Sequence, residues 1–129
     1  NDQIVVVLMN GRPLAISTIA DKATAIIEAW HAGSQAGHGI ADVLFGAYNP
    51  SGKLPMSFPR NTGQLPLYYS QKNTGRPSSE DDVFWTHYTD SPNTPLYPFG
   101  YGLSYTEFDY SAIELSATSV LPQWQLMNR

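Results

Sequence analysis

Apolar positions in the first half of the chain fall into two short runs and one helical stripe. Ile4 to Met9, IVVVLM, is continuously apolar and rich in β-branched residues. It is too short for a helix, so it predicts a strand covered on both faces, inside a sheet. Asn10-Gly11-Arg12-Pro13 predicts the turn at its carboxyl end, and Ser17 to Lys22 predicts a single helical turn. Ala25 to Trp30 is apolar except for Glu28 and predicts a second buried strand, ended by His31-Ala32-Gly33. Ser34 stands where an N-cap is wanted. Ala36, Ile40, Val43 and Leu44 then recur at i, i+4, i+7 and i+8, which predicts a helix with His38 and Asp42 on its opposite face. Gly46 supplies the stop. Asn49-Pro50-Ser51-Gly52 is a turn signature, and Lys53 to Pro59 must be extended, because its prolines exclude a helix and bias their predecessors toward β. The order is β-turn-α-turn-β.

From Asn61 onward the pattern changes. Thr62-Gly63, Lys72 to Pro77 and Ser78 to Asp82 are polar turn formers without a sustained period, which predicts a long loop region. Twelve of the sixteen aromatic residues lie after Pro66, and a disordered linker lacks such residues, so the loops are expected to be ordered against something. Pro95 to Ser111 alternates aromatics with Gly, Pro and Ser and predicts a compact turn stapled by its rings. Phe108, Tyr110, Ile113 and Leu115 alternate with polar residues as in a half-exposed strand. No pattern is evident from Ala117 to Arg129.

Composition narrows the partners. The 129 residues are 42% hydrophobic, enough for the core of one domain. A net charge of -4, with seven scattered Lys and Arg, provides no basic stripe. Nucleic acid and anionic membrane surfaces are therefore excluded as principal partners. No run reaches the roughly 18 apolar residues of a membrane helix, and Asn1-Asp2-Gln3 lacks the basic start of a signal peptide. The absence of cysteine removes disulfides and thiolate sites and leaves the redox compartment open. A strand as apolar as Ile4–Met9, three residues from the start and with few further strand candidates after it, predicts an incomplete domain.

Metal and phosphate chemistry find no support in the spacing. His31 and His38 are seven apart, not the i, i+4 pair of a helical metal site, and His87 stands alone. No metal and no cofactor are expected. Gly33, Gly37 and Gly39 form G-x-x-x-G-x-G, neither a dinucleotide fingerprint nor a P-loop, and are assigned to close helix–strand packing. Trp30 and His31 lie at the carboxyl end of an expected parallel strand, where open α/β sheets bind ligands. His31 is therefore either a pocket residue or a turn residue satisfied by backbone.

Four spaced motifs carry a family resemblance. They are Val5 to Leu14 (VVVLMNGRPL), Glu28-Ala29-Trp30 with Gly33, Ile40 to Gly46 running on through Asn49 to Pro55, and Pro95 to Tyr105. Together they resemble glycoside hydrolase family 3, in particular its bacterial periplasmic β-glucosidases, over residues 4 to 115. The resemblance implies a multidomain enzyme with an amino-terminal (β/α)8 barrel, an α/β sandwich domain and, in many members, a fibronectin-III-like domain. This chain then has an α/β fold. It is an incomplete α/β sandwich, the C-terminal half of the family's second domain over residues 1–111, with a long aromatic-rich loop region. Residues 112–129 are then a linker and the truncated start of a fibronectin-III-like domain, from whose expected pattern Ser119 to Gln125 departs. The implied location is periplasmic or secreted.

The same resemblance implies a retaining exo-acting β-glucosidase that removes terminal non-reducing β-linked sugars. Such chemistry needs two carboxyl groups about 5–5.5 Å apart, one a nucleophile and one an acid/base. In the family the nucleophile is a barrel aspartate and the acid/base a glutamate in a loop before the NGRPL motif. Neither matched position is in this chain, so no catalytic residue is assigned and the chain alone is expected to be inactive. Glu28 reads as a strand-edge carboxylate paired with a neighbouring donor, and Glu80, Asp81 and Asp82 as a solvated turn. For sugar contacts, rings stack on the apolar face of a pyranose while amides and guanidinium groups bond hydroxyls. Asn73, Arg76 and Trp85, with Tyr69, are the best set for this, beside Trp30 and His31. The expected partners are an oligosaccharide or β-glucoside, the barrel and the first half of the sandwich domain. The alternative is a non-catalytic α/β module that binds carbohydrate or docks on a partner.

Overall fold

The computed structural model describes residues 3–72, 75, 76, 84, 86–117 and 119. Two strands, β1 (Val5–Leu8) and β2 (Ala25–Glu28), pair in parallel with Val5 opposite Ala25 and Leu8 opposite Glu28. Parallel neighbours need a crossover, and it is made by the turn after Met9 and the single helical turn α1 (Ser17–Ala20). The longer helix α2 (Ala36–Leu44) follows a 3-10 turn at Gly33–Gln35. Both strands, the short helical turn and the main helix thus arise where hydrophobic periodicity places them.

Helix α2 ends as its sequence demands. Gly46 takes φ +80°, a left-handed conformation that costs a residue with a Cβ about 1–2 kcal/mol. Its N–H bonds the Val43 carbonyl at 3.1 Å, and the Tyr48 N–H bonds that of Asp42 at 2.9 Å. At the other end the expectation needs correction. Ser34 lies inside the 3-10 turn rather than at the N-cap, which is Gln35 and makes no side-chain cap bond. The glycines of GSQAGHG also do not serve close packing. A Cβ on Gly37 or Gly39 would meet open space, while Gly33 is held at φ +73° by the turn itself.

The sheet is less buried than the apolar runs imply. Each strand has one neighbour among the described residues, so Val6, Val7 and Leu8 are half-buried and Val5 is exposed. Among the described residues the buried hydrophobic side chains of the core are Ile16 and Phe58, the latter 2% exposed. Phe58 belongs to the extended stretch after the Asn49–Gly52 turn. That stretch forms no regular strand but pairs with the Pro95–Tyr105 turn. Phe58 and Leu96–Tyr97 make an antiparallel bridge with two bonds of 2.8 Å, and Leu54 bonds Tyr101 and Gly100 at 2.8 and 2.7 Å. The predicted strand over Phe108, Tyr110, Ile113 and Leu115 does not form. Among the described residues they have no strand partner, and Tyr110 is 92% exposed. No helix among the described residues is long and apolar enough to cross a membrane.

Candidate functional site

Two places in the fold gather chemistry. The first is the carboxyl end of the two strands. β2 closes on Glu28, whose Oε1 accepts the Trp30 N–H at 3.0 Å. That bond bends the chain so sharply that Trp30 sits at φ +49°, a strained conformation for a bulky residue. The bend turns the indole onto Phe58, ring centroids 5.9 Å apart, and lays the exposed His31 imidazole over Gly11. A Cβ at position 11 would lie 2.8 Å from His31 Nε2 and would displace the ring from this position. Burial pushes the Glu28 carboxyl above its ordinary 4.5, against the opposing effects of the Trp30 N–H and the Asn10 side chain. Its second oxygen and the Asn10 carbonyl oxygen are buried without a partner, while Asn10 Nδ2 donates to the Arg12 carbonyl at 2.7 Å. The arrangement is that of a carboxyl group committed to shaping the bend.

The second place is a cleft of about 530 Å³ between segments 66–72 and 86–95. Its walls include Tyr68, Tyr69 and Tyr88 with His87, Gln71 and Lys72. Tyr69 stacks on Phe99, with centroids 4.2 Å apart and planes 17° from parallel. Beneath the cleft lies Gln64, the buried polar side chain of the described residues, 2% exposed. Its Oε1 accepts the Arg60 N–H at 2.6 Å, and its Nε2 donates to the carbonyls of Pro92 at 2.8 Å and Thr94 at 3.3 Å. Asn93 folds the far wall, its Nδ2 donating to the Thr86 carbonyl at 2.7 Å and its Oδ1 accepting the Tyr88 N–H at 3.0 Å.

The sequence-predicted site residues separate between these places. Trp30 and His31 stand at the strand ends and do not line the cleft, although Phe58, which Trp30 touches, follows Ser57 of the cleft wall. Arg76 is exposed beside the cleft, its carbonyl accepting the N–H of the cleft residue Thr86 at 3.4 Å. Asn73 and Trp85, and the Glu80–Asp81–Asp82 cluster, lie outside the described residues. Tyr69 does line the cleft. Gln64 and Asn93 were not legible as site residues. Each is one polar residue in a stretch of turn formers; two of Gln64's partners sit 28 and 30 positions away, and Asn93's sit five and seven positions back. No group of three His, Cys, Asp or Glu side chains suited to a metal ion occurs among the described residues.

The model of the glycosyl hydrolase family 3 C-terminal domain matches residues 1–105. The chain belongs to glycoside hydrolase family 3. It is 56% identical over 119 residues to a periplasmic beta-glucosidase of Salmonella typhimurium, and 46% identical over 117 residues to a beta-xylosidase of Formosa agariphila. Each match covers 91% of this chain and 16% of the relative, so the chain spans about one sixth of their length. Its fold is similar to that of the beta-glucosidase from Listeria innocua, solved in complex with isofagomine. The TM-score is 0.79 at 50% identity, over 83% of this chain and 15% of that one. A beta-glucosidase involved in saponin metabolism from intestinal bacteria matches with a TM-score of 0.64 at 33% identity, over 81% of this chain. The family resemblance carried by the four motifs is therefore correct, and the small parallel sheet is that of the family's C-terminal domain.

Proposed function

We propose that this chain is the sandwich-domain portion of a retaining, exo-acting β-glucosidase that hydrolyses terminal non-reducing β-linked sugars in the periplasm or outside the cell. In this reading residues 1–111 form the later part of the α/β sandwich, and residues 112–129 lead toward a fibronectin-III-like domain. The observation that carries it is the 56% identity to the Salmonella periplasmic beta-glucosidase across 91% of the chain. Both catalytic carboxylates are supplied by parts of the enzyme outside this sequence, the barrel and the first half of the sandwich. Glu28 is not one of them, since one of its oxygens is engaged by the Trp30 N–H. A buried, bond-forming carboxyl at a strand end holds backbone rather than exchanging protons with substrate.

In the same reading, the chain contributes to the binding of the sugar on the leaving-group side. The cleft presents tyrosine rings for stacking on a pyranose face, with amide and ammonium groups for its hydroxyls. Arg76 borders it, and Asn73 and Trp85, which lie outside the described residues, are proposed as further sugar-binding residues. Trp30 and His31 are assigned to the neighbouring rim at the strand ends. The test is a chimera of the Salmonella enzyme in which the matching segment is exchanged for residues 4–115 of this chain. It is expected to hydrolyse an aryl β-glucoside with retention, while the 129-residue chain alone turns over none. A folded chimera without activity, or turnover by the chain alone that is lost in Glu28→Ala, would overturn the proposal. Within the chimera, Trp85→Ala is expected to raise KM for an oligosaccharide more than it lowers kcat on the aryl glucoside.

A further inference from the structure

The cleft has no regular element in either wall, and both walls refer back to one side chain. An amide has two N–H donors and one carbonyl acceptor, and Gln64 uses all of them. Its carbonyl takes the Arg60 N–H, and its Nε2 reaches Pro92 and Thr94. One wall, 66–72, leaves Gln64 directly along the chain. The other, 86–95, is folded on itself by Asn93, so that Thr86, Tyr88 and Asn93 form one piece. That piece is fastened by the Pro92 and Thr94 carbonyls on Gln64, by the Arg60 guanidinium on Thr94, and by the Leu96 N–H on Phe58. Arg60 is itself held, its carbonyl accepting the Ser17 hydroxyl at 2.7 Å. At 2% exposure, Gln64 leaves no room for water to replace these bonds.

We propose that Gln64 is a positioning residue that holds the two walls of this cleft in register, and that it thereby sets affinity for the sugar on the leaving-group side. This rests on the reading above that the cleft receives that sugar. Gln64 acts on the occupant through the walls, because its own donors and acceptor are already engaged. Methionine at this position matches the side chain in length and provides none of the three bonds. Glutamate keeps the acceptor for Arg60 but sets an oxygen against the Pro92 and Thr94 carbonyls.

The experiment uses the active chimera and compares Gln64→Met, Gln64→Glu and the direct cleft variant Tyr69→Ala on a β-linked disaccharide and on an aryl glucoside. Tyr69→Ala tests the reading itself, and a disaccharide KM that it leaves unchanged would overturn that reading together with the proposal. Given an effect there, Gln64→Met is expected to raise the disaccharide KM at least about fivefold, the equivalent of one lost hydrogen bond, with kcat within about twofold. Hydrogen exchange is expected to quicken in the peptide covering 86–96 and not in β1 or β2. Gln64→Glu is expected to behave like Gln64→Met. A disaccharide KM unchanged in Gln64→Met, or a KM change that appears equally with the aryl glucoside and with exchange raised throughout, would overturn the positioning role. If neither Gln64 variant folds, Thr94→Val removes one of the two Arg60 bonds to the same wall, that of the guanidinium to the Thr94 hydroxyl. It is expected to raise the disaccharide KM by a smaller factor, and an unchanged KM there would overturn the proposal.

Discussion

The strand unit, residues 4–46, and the irregular stretch, residues 49–105, invert the usual association of regular structure with burial. The first holds both strands and both α-helices, yet most of its apolar side chains are half-buried, and Ile4, Val5 and Met9 are exposed. The second has, among its described residues, little more than a 3-10 turn at Thr62–Gln64, and it contains Phe58, Pro59 and Gln64, the largest fully buried side chains of the described residues. The difference lies in where each region satisfies its backbone. The two strands pair with each other and α2 bonds within itself, so these bonds involve little of the chain outside residues 4–46. The irregular stretch satisfies its own through bonds between distant segments, backbone to backbone at Leu54–Tyr101 and Phe58–Tyr97 and side chain to backbone elsewhere, and those bonds form only where the chain packs against itself. Ser104 Oγ donates to the Pro50 carbonyl at 2.7 Å, Asn49 Oδ1 accepts the Tyr105 N–H at 2.7 Å, and the Tyr105 hydroxyl reaches the Val43 carbonyl at the end of α2. Burial in this chain follows from closure between distant segments, and the sheet's apolar faces stay half-buried or exposed among the described residues.

The comparison can be broken most severely at Phe58. Phe58→Ala removes a ring 2% exposed that touches both Trp30 and Tyr97. A loss of about 3–5 kcal/mol is expected, read as a lower unfolding midpoint of the chimera in denaturant. If the strand unit were the real core, Val6→Ala would cost more than Phe58→Ala, and that order would refute the contrast. Next comes Gly102→Ala, whose Cβ would lie 2.6 Å from the Gly52 carbonyl and 3.4 Å from Lys53 Cα, both backbone atoms. Separating these segments is expected to cost about 1–3 kcal/mol, seen as a lower melting temperature. Gly46→Ala, by contrast, meets open space and suffers only from its φ of +80°. A loss of about 1 kcal/mol is expected there, with helix content by circular dichroism nearly unchanged.

The smallest expected effect is a pH dependence at Glu28. Its folded-state pKa is raised above 4.5, chiefly by burial. Between the unfolded and folded values the native state therefore binds more protons than the unfolded one, and stability falls as pH rises through that window. Below 4.5 the penalty is absent. Glu28→Gln keeps an acceptor for the Trp30 N–H and removes the titration, so its stability relative to the parent is expected to improve as pH rises from 4.5 toward neutrality. A difference between Glu28→Gln and the parent that is constant over that range would show that the carboxyl is not desolvated.

How much was legible follows the same division. Short continuous apolar runs, glycine and proline placed β1, β2, the short helical turn before β2 and the end of α2, because each depends on neighbours within about four residues. Ser34 failed as a cap because the 3-10 turn at Gly33–Gln35 used the position, and position alone does not distinguish the two. The alternation over Phe108–Leu115 also failed, since among the described residues no segment lies alongside it to pair with. Trp30 and His31 were legible as strand-end residues, but the strain at Trp30 was not, since it results from a bond to Glu28.

The amino-acid sequence by itself determined the order of elements, the absence of a basic surface, and the four motifs that place the chain in its family. Only the tertiary structure decided which residues are buried, that the cleft lies between 66–72 and 86–95, and that Gln64 joins its walls. The physical reason is range. Helix, strand and turn preferences are set by steric and hydrogen-bonding terms between near neighbours, and they leave a periodic trace. A bond such as that from Gln64 to Pro92, or from Tyr105 to Val43, spans 28 or 62 positions. It depends on the path of the whole chain between them and leaves no trace in either neighbourhood.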